Sequence, residues 1–327
     1  RLDVHQNRLY GTLPVQFFQQ WTHLDYWDVS FNAMTGTLPA DWSALSHLTD
    51  FAAQLNSFQG SLPKQLPLSL LHFSVDGNRL SGTIPWSDWK ESMDQQLQQR
   101  HQPGRDRRRI TTNTTTSNAT GTLDSNDPPG HALTVLDLGS NGDVNGIVSP
   151  LIATIFPQLV SLGLYRTKVH GTLPSELGQL RHLEEVSLAG SKLTGTLPFT
   201  LYQLSTLQWF VASSTQLGGT LSTEVGQLSS LQVLNLVDTM LSGTLPTQLG
   251  FLSNSLEWLQ LSDTNIHGTI PTELGQLSKL SRLWLHNTQL TGIFPTQACQ
   301  VLAIQDDLRV DCQGGIPISC SCCNYCF

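Results

Sequence analysis

Residues 231–252, LQVLNLVDTMLSGTLPTQLGFL, carry one structural unit almost complete. Leu234 and Leu236 alternate with Val233, Asn235 and Val237, the period-2 pattern of a short strand with one buried face. Gly243 falls where the chain turns with positive φ or passes too close to a neighbour for a Cβ. Pro246 lacks an amide hydrogen, which suits a turn and excludes a central ladder position. The stretch Leu249-Gly250-Phe251-Leu252 is too short and glycine-rich for a full helix and predicts a turn of 3-10 helix.

The same unit recurs on both sides. Gly11, Gly36, Gly60, Gly82, Gly146, Gly171, Gly195, Gly219, Gly243, Gly268 and Gly292 occupy its turn, and nine of the ten intervals are 22 to 25 residues. A fixed period in that range marks a solenoid, which grows by stacking and keeps one continuous core, so the 327 residues read as a single domain. The exceptional interval, 64 residues from Gly82 to Gly146, holds an insertion. The organisation is therefore four units over 1–86, an insertion over 87–130, seven units over 131–298 and a terminal cap over 299–327. One strand per unit, with a return connection, predicts a parallel sheet along one side.

The consensus Leu-x-x-Leu-x-Leu-x-x-Asn/Thr-x-Leu-x-Gly-x-Leu-Pro resembles that of leucine-rich repeats, and its Leu-x-Gly-x-Leu-Pro segment resembles the plant-type subclass of receptor-kinase arrays and polygalacturonase inhibitors. The Gly-Thr-Leu-Pro wording and the Cys-x-Cys-Cys-x-x-Cys tail are similar to predicted secreted proteins of diatoms. The resemblance covers about residues 1–85 and 131–327. It implies an α/β repeat solenoid: a right-handed superhelix with a parallel sheet on the concave face and short 3-10 turns on the convex face. This scaffold carries many unrelated binding roles, so function has to be sought in particular residues.

Composition narrows the partners. Charged residues make up 13% and the net charge is −8, which offers no electrostatic footprint for nucleic acid. No apolar stretch reaches the ~18 residues that a membrane helix needs. The chain starts at Arg1 inside a repeat, the expectation for a processed or trimmed N-terminus. Cys299, Cys312, Cys320, Cys322, Cys323 and Cys326 cluster at the end, as in a disulfide-stapled cap made in an oxidising, extracellular compartment. The Cys323-x-x-Cys326 spacing also admits zinc, although structural zinc sites use two separated ligand pairs. Sequence cannot choose among the 15 possible disulfide pairings.

One position changes material along the chain. It is Asn7, Asn32, Asn56, Asn78 and Asn141, then Thr167, Ser191, Thr215, Thr239, Thr264 and Thr288. Either residue type can satisfy buried turn backbone, so the ladder is structural. The insertion loses the leucine period and predicts a long polar surface loop. It carries two N-glycosylation sequons at Asn113 and Asn118, and a basic run, Arg105 to Arg109, that reads as solvated charge, a docking patch for acidic polysaccharide or a processing site.

The outward positions of the C-terminal strands form the candidate recognition surface. They comprise Trp209, Val233, Trp258 and Arg282, then Gln260 and Trp284, then His286, with Asp238 and Asp263 beyond. Tryptophan beside polar and acidic groups supplies aromatic faces for apolar or sugar contact and carboxylates for orientation. Tyr26, Asp50, His72 and Asp76 form a weaker N-terminal counterpart. His23, His47 and His182 recur at one turn position without a catalytic partner, and Glu176, Glu224 and Glu273 recur after the Pro position. No phosphate loop, kinase motif or His-Glu-x-x-His is present. The reading is a secreted, non-enzymatic scaffold without cofactor or metal that binds a protein or cell-wall glycan on its concave face. The alternatives are a self-associating matrix or fibre glycoprotein, and a trimmed receptor ectodomain.

Overall fold

The computed structural model describes residues 1–14, 20–42, 44–100, 131–297, 307–311, 318–319 and 325–326. The N-glycosylation sequons at Asn113 and Asn118 and the basic run lie outside them, as do Cys299, Cys312, Cys320, Cys322 and Cys323. Of the six cysteines only the backbone of Cys326 is described, in the strand Tyr325–Cys326.

One parallel sheet of 13 strands runs the length of the described chain, with one strand from each unit and two from the terminal region. The segments around the recurring glycines form a second parallel sheet of nine strands, from Gln59–Ser61 to Gln289–Thr291, and a separate two-stranded pair, Tyr10–Thr12 with Ala33–Thr35. Registers advance one unit at a time, as in Phe210 beside Leu234, Leu234 beside Leu259 and Leu259 beside Leu283. The leucine rows are buried between the sheets and the return turns, forming one continuous core. The expected 3-10 turns appear at Ser175–Gln179, Phe199–Gln203, Thr223–Gln227, Thr247–Leu252 and Thr272–Gln276.

The recurring glycine is explained at Gly243. Its φ is +82°, and a Cβ there would stand 2.7 Å from Cγ2 of Thr220 in the preceding unit. The glycine thus serves both the turn and the seating of its neighbour's threonine methyl.

The Asn-to-Thr ladder is a change of wiring. Asn32, Asn56, Asn78 and Asn141 each donate Nδ2 back into the preceding unit, to Val4 O, Val29 O, Ala53 O and Val75 O, at 2.9–3.0 Å. Their Oδ1 atoms accept from Leu9, Met34, Phe58 and Leu80, again in the preceding unit, each at 2.9 Å. Thr167, Thr215, Thr239, Thr264 and Thr288 donate only to the carbonyl three residues back in their own unit, at 2.6–2.8 Å. At this ladder position the first block is therefore cross-linked between units by side chains, whereas in the second block the ladder hydroxyl stays within its own unit.

The insertion begins with a helix where a polar loop is expected. Helix α1, Trp86–Arg100, buries Trp86, Trp89 and Met93. These lie at i, i+3 and i+7, so a single helical face docks even though the segment is polar on average. Trp89 Nε1 donates to Pro63 O at 2.9 Å, Trp86 Nε1 donates to Ile147 O at 2.8 Å, and both rings pack on Phe156. The strands on either side pair directly, His72–Ser74 with Val135–Asp137, so the solenoid runs past the insertion without a break.

Candidate functional site

The long sheet presents three outward columns, and its last units bring several of the expected residues together. The Arg282 guanidinium lies 4.1 Å from the Trp258 ring centroid and 5.4 Å from that of Trp284, and Arg309 lies 4.3 Å from Trp284 on the next strand. Indole and guanidinium planes thus alternate across Trp258–Gln260, Arg282–Trp284 and Leu308–Val310. Stacking of this kind is worth about 0.5–2 kcal/mol per pair.

One carboxylate ties the stack together. Asp307 accepts from Arg282 Nε at 2.5 Å, Trp284 Nε1 at 2.8 Å and Arg309 Nε at 3.0 Å. Burial raises the carboxyl's pKa, but the hydrogen bonds from Trp284 and Arg282 and the two guanidinium charges together hold it below the usual carboxylate range. Asp307 and Arg309 belong to the region read from sequence as a cysteine cap, and no repeat signal marks them. Pairing Arg282 with the next strand in register would have placed an outward residue opposite it.

Other expected site residues lie elsewhere. Trp209 is 46% exposed and its Nε1 donates to Gln232 Oε1 at 3.3 Å, on a rim that continues through Gln208 to Glu184. Val233 and Gln260, expected at the surface, are only 5% and 3% exposed. Asp238 and Asp263 occupy left-handed turn positions, with φ of 55° and 56°, equivalent to Asn287 at 53°. A short polar side chain suits that conformation, which accounts for Asp there without a ligand. His286 is half-buried, and desolvation lowers its pKa against the opposing charges of Asp263 and Asp311.

A second cluster, at the middle of the same sheet, contains Asp76, which the sequence grouped with Tyr26, Asp50 and His72. The Tyr165 hydroxyl donates to Asp76 Oδ2 at 3.1 Å, two units away. Its ring crosses Gly139, where a Cβ would stand 2.2 Å from Cε1, and a Cβ on Gly163 would stand 2.4 Å from Asp137 Oδ1. Two glycines thus make room for the phenol and the carboxyl. Burial, with a contribution from Asp76, pushes the Asp137 carboxyl up to about 6 against the hydrogen bond from Gly139 N–H. Burial raises the Tyr165 hydroxyl as well, and both carboxylates add to it.

Near the first strand, Asp3, His5 and Asp28 bring ligand-type atoms within 4.8 Å of one another. His5 Nδ1 lies 2.6 Å from Asp3 Oδ1, and Asp3 raises the imidazole pKa, the signature of an ion pair. Asp28 is held separately by Ser30 and Tyr26. The rings of His23 and His47, both exposed, lie 5.6 Å apart and tilted by 51°.

The arrangement defines a leucine-rich-repeat solenoid with an aromatic and cationic patch on its long sheet. The Leucine Rich Repeat family profile matches residues 255–277. The chain is similar to the Arabidopsis receptor kinase HAESA, solved in complex with the peptide hormone IDA and the co-receptor SERK1, at 27% identity and a TM-score of 0.71 over 96% of this chain and 47% of that one. It is also similar to a TDR receptor, at 25% identity and a TM-score of 0.70 over 92% of this chain and 50% of that one. A plant ice-binding protein shares the fold, at 19% identity and a TM-score of 0.58 over 93% and 76%. The chain thus spans about half the length of the two receptors. No curated protein matches it in sequence. Among the described residues, no helix is long and apolar enough to cross a membrane.

Proposed function

We propose that the protein is an extracellular, non-enzymatic recognition scaffold that binds a protein or glycan partner through the C-terminal half of its long sheet. The carrying observation is the Trp258, Arg282, Trp284 and Arg309 stack, a preorganised surface of the residue types that dominate binding hot spots. The peptide-hormone receptor among its structural relatives supports a polypeptide partner, and the same reading accommodates a receptor ectodomain. Cys299, Cys312, Cys320, Cys322, Cys323 and Cys326 are proposed to form the disulfides of the cap, and Asn113 and Asn118 to carry glycans. A Trp258→Ala, Trp284→Ala double variant should weaken partner binding at least tenfold in titration calorimetry, the scale of a hot-spot loss. Unchanged affinity would remove this surface from consideration.

A second reading, lateral self-association, has one specific observation in its favour. Thr12, Thr37, Thr83, Thr172, Thr196, Thr220, Thr244 and Thr269, each next to a recurring glycine, are all exposed and form an uncharged row along the same side of successive units. Light scattering across a concentration series tests it, and a strict monomer would sink it.

A further inference from the structure

The geometry points to a uronate-bearing polysaccharide as the ligand of the tryptophan and arginine stack, an inference that rests on the recognition surface proposed above. Arg282 and Arg309 each spend Nε on the single carboxylate of Asp307. Their terminal Nη nitrogens meet no acceptor among the described residues, and their side chains are 32% and 37% exposed. Two guanidinium ends, held flat by indole rings and anchored at Nε, present paired donors of the kind that match a carboxylate.

Asp307, Asp311 and, beyond His286, Asp263 offset the two positive charges, so what the arginines offer is directed donors rather than net charge. Asp311 is engaged by the backbone N–H groups of Asn287 and Thr288. Desolvation lowers the pKa of His286, which favours its neutral form. The outward residues of the preceding strands Trp209–Val211, Val233–Asn235 and Trp258–Gln260 include no ionisable side chain. The two guanidinium ends are therefore a local pair of donors, and they adjoin strands without ionisable outward side chains.

The form of that surface favours sugar rings over peptide side chains. A peptide hot spot inserts an anchor into a pocket, but Val233, the outward residue between Trp209 and Trp258, is itself only 5% exposed. What remains outward is the 46% exposed indole of Trp209, on which the C–H side of a pyranose stacks while the carboxylate of a later sugar in the same chain reaches the arginine forks. Trp209 and Arg282 stand three strands apart, about 14 Å, so a single ring cannot span them and the ligand is an oligomer.

The test titrates the full chain with three probes: alginate as a polyuronate, laminarin as a neutral glucan and poly-L-glutamate as an acidic peptide. Alginate should bind, and Arg282→Gln, Arg309→Gln and the charge-retaining Arg309→Lys should each weaken it about tenfold, the loss of one charge-assisted contact. Lys192→Gln, an exposed cation on the second sheet, should change it less than about twofold. Equal binding of poly-L-glutamate, indifference to Arg309→Lys, or failure of all three probes would overturn the inference. Equal laminarin binding that is lost in the Trp258→Ala, Trp284→Ala variant would overturn it too, while leaving the recognition surface in place.

Discussion

Replacing Asn141 by Ala should destabilise the protein far more than replacing Thr215 by Ala, because the two ladder residues are wired differently. Asn141 is fully buried; its Oδ1 accepts from Leu80 N at 2.9 Å and its Nδ2 donates to Val75 O at 3.0 Å and Leu138 O at 2.9 Å. Deletion strands one buried N–H at about 1–3 kcal/mol and removes two carbonyl contacts at about 1 kcal/mol each, for a total of roughly 3–5 kcal/mol. Thr215 loses one good bond, to Ala212 O at 2.8 Å, and a long one from Leu217 N at 3.4 Å, for about 1–2 kcal/mol. Asn141→Thr separates the contributions. Threonine can keep the Leu138 contact, as it keeps the equivalent one elsewhere in the ladder, but gives up both links to the preceding unit, at about 2–4 kcal/mol. Urea unfolding followed by far-UV circular dichroism and tryptophan fluorescence measures these differences, with coincidence of the probes checking two-state behaviour, which repeat arrays can lose. Equal costs for Asn141→Ala and Thr215→Ala, or a neutral Asn141→Thr, would refute the argument that the asparagines bind neighbouring units together.

Gly243→Ala should cost about 1–3 kcal/mol, since alanine at φ +82° is strained and its Cβ would stand 2.7 Å from the Thr220 methyl. Adding Thr220→Ala should recover only the steric part, as read by the thermal midpoint. The Asp137 carboxyl, pushed up to about 6 in the folded chain, predicts a pH dependence of defined sign. Its folded pKa exceeds the unfolded value of ~3.9, so its contribution is fully present below that value and is lost as pH rises through about 6, by up to ~3 kcal/mol. Stability measured between pH 4 and 7 should therefore fall more steeply in the parent than in Asp137→Asn, and identical slopes would exclude Asp137 as the source.

The fold was legible because its signal is repeated. One glycine or leucine says little, whereas eleven in register determine strand, turn and core together, and the sheet pairings follow unit by unit. What the period could not supply are contacts made across it. Helix α1 has its apolar residues at Trp86, Trp89 and Met93, but the first of them belongs to the repeat and the others to the insertion, so a boundary drawn between them splits the helical face. Asp137 and Tyr165 come together through Gly139 and Gly163, whose importance is the absence of a side chain. The recognition surface shows the same division. Trp258, Arg282 and Trp284 stand out as departures from the repeat, and the structure stacks them. Asp307, which orients the stack, lies beyond the last repeat, where register has no successor to predict. A solenoid's periodic residues build the frame and its exceptions decorate it, but the group that orders those exceptions can come from outside the pattern altogether. In this chain that makes Asp307, more than any single tryptophan, the residue on which the geometry of the surface depends.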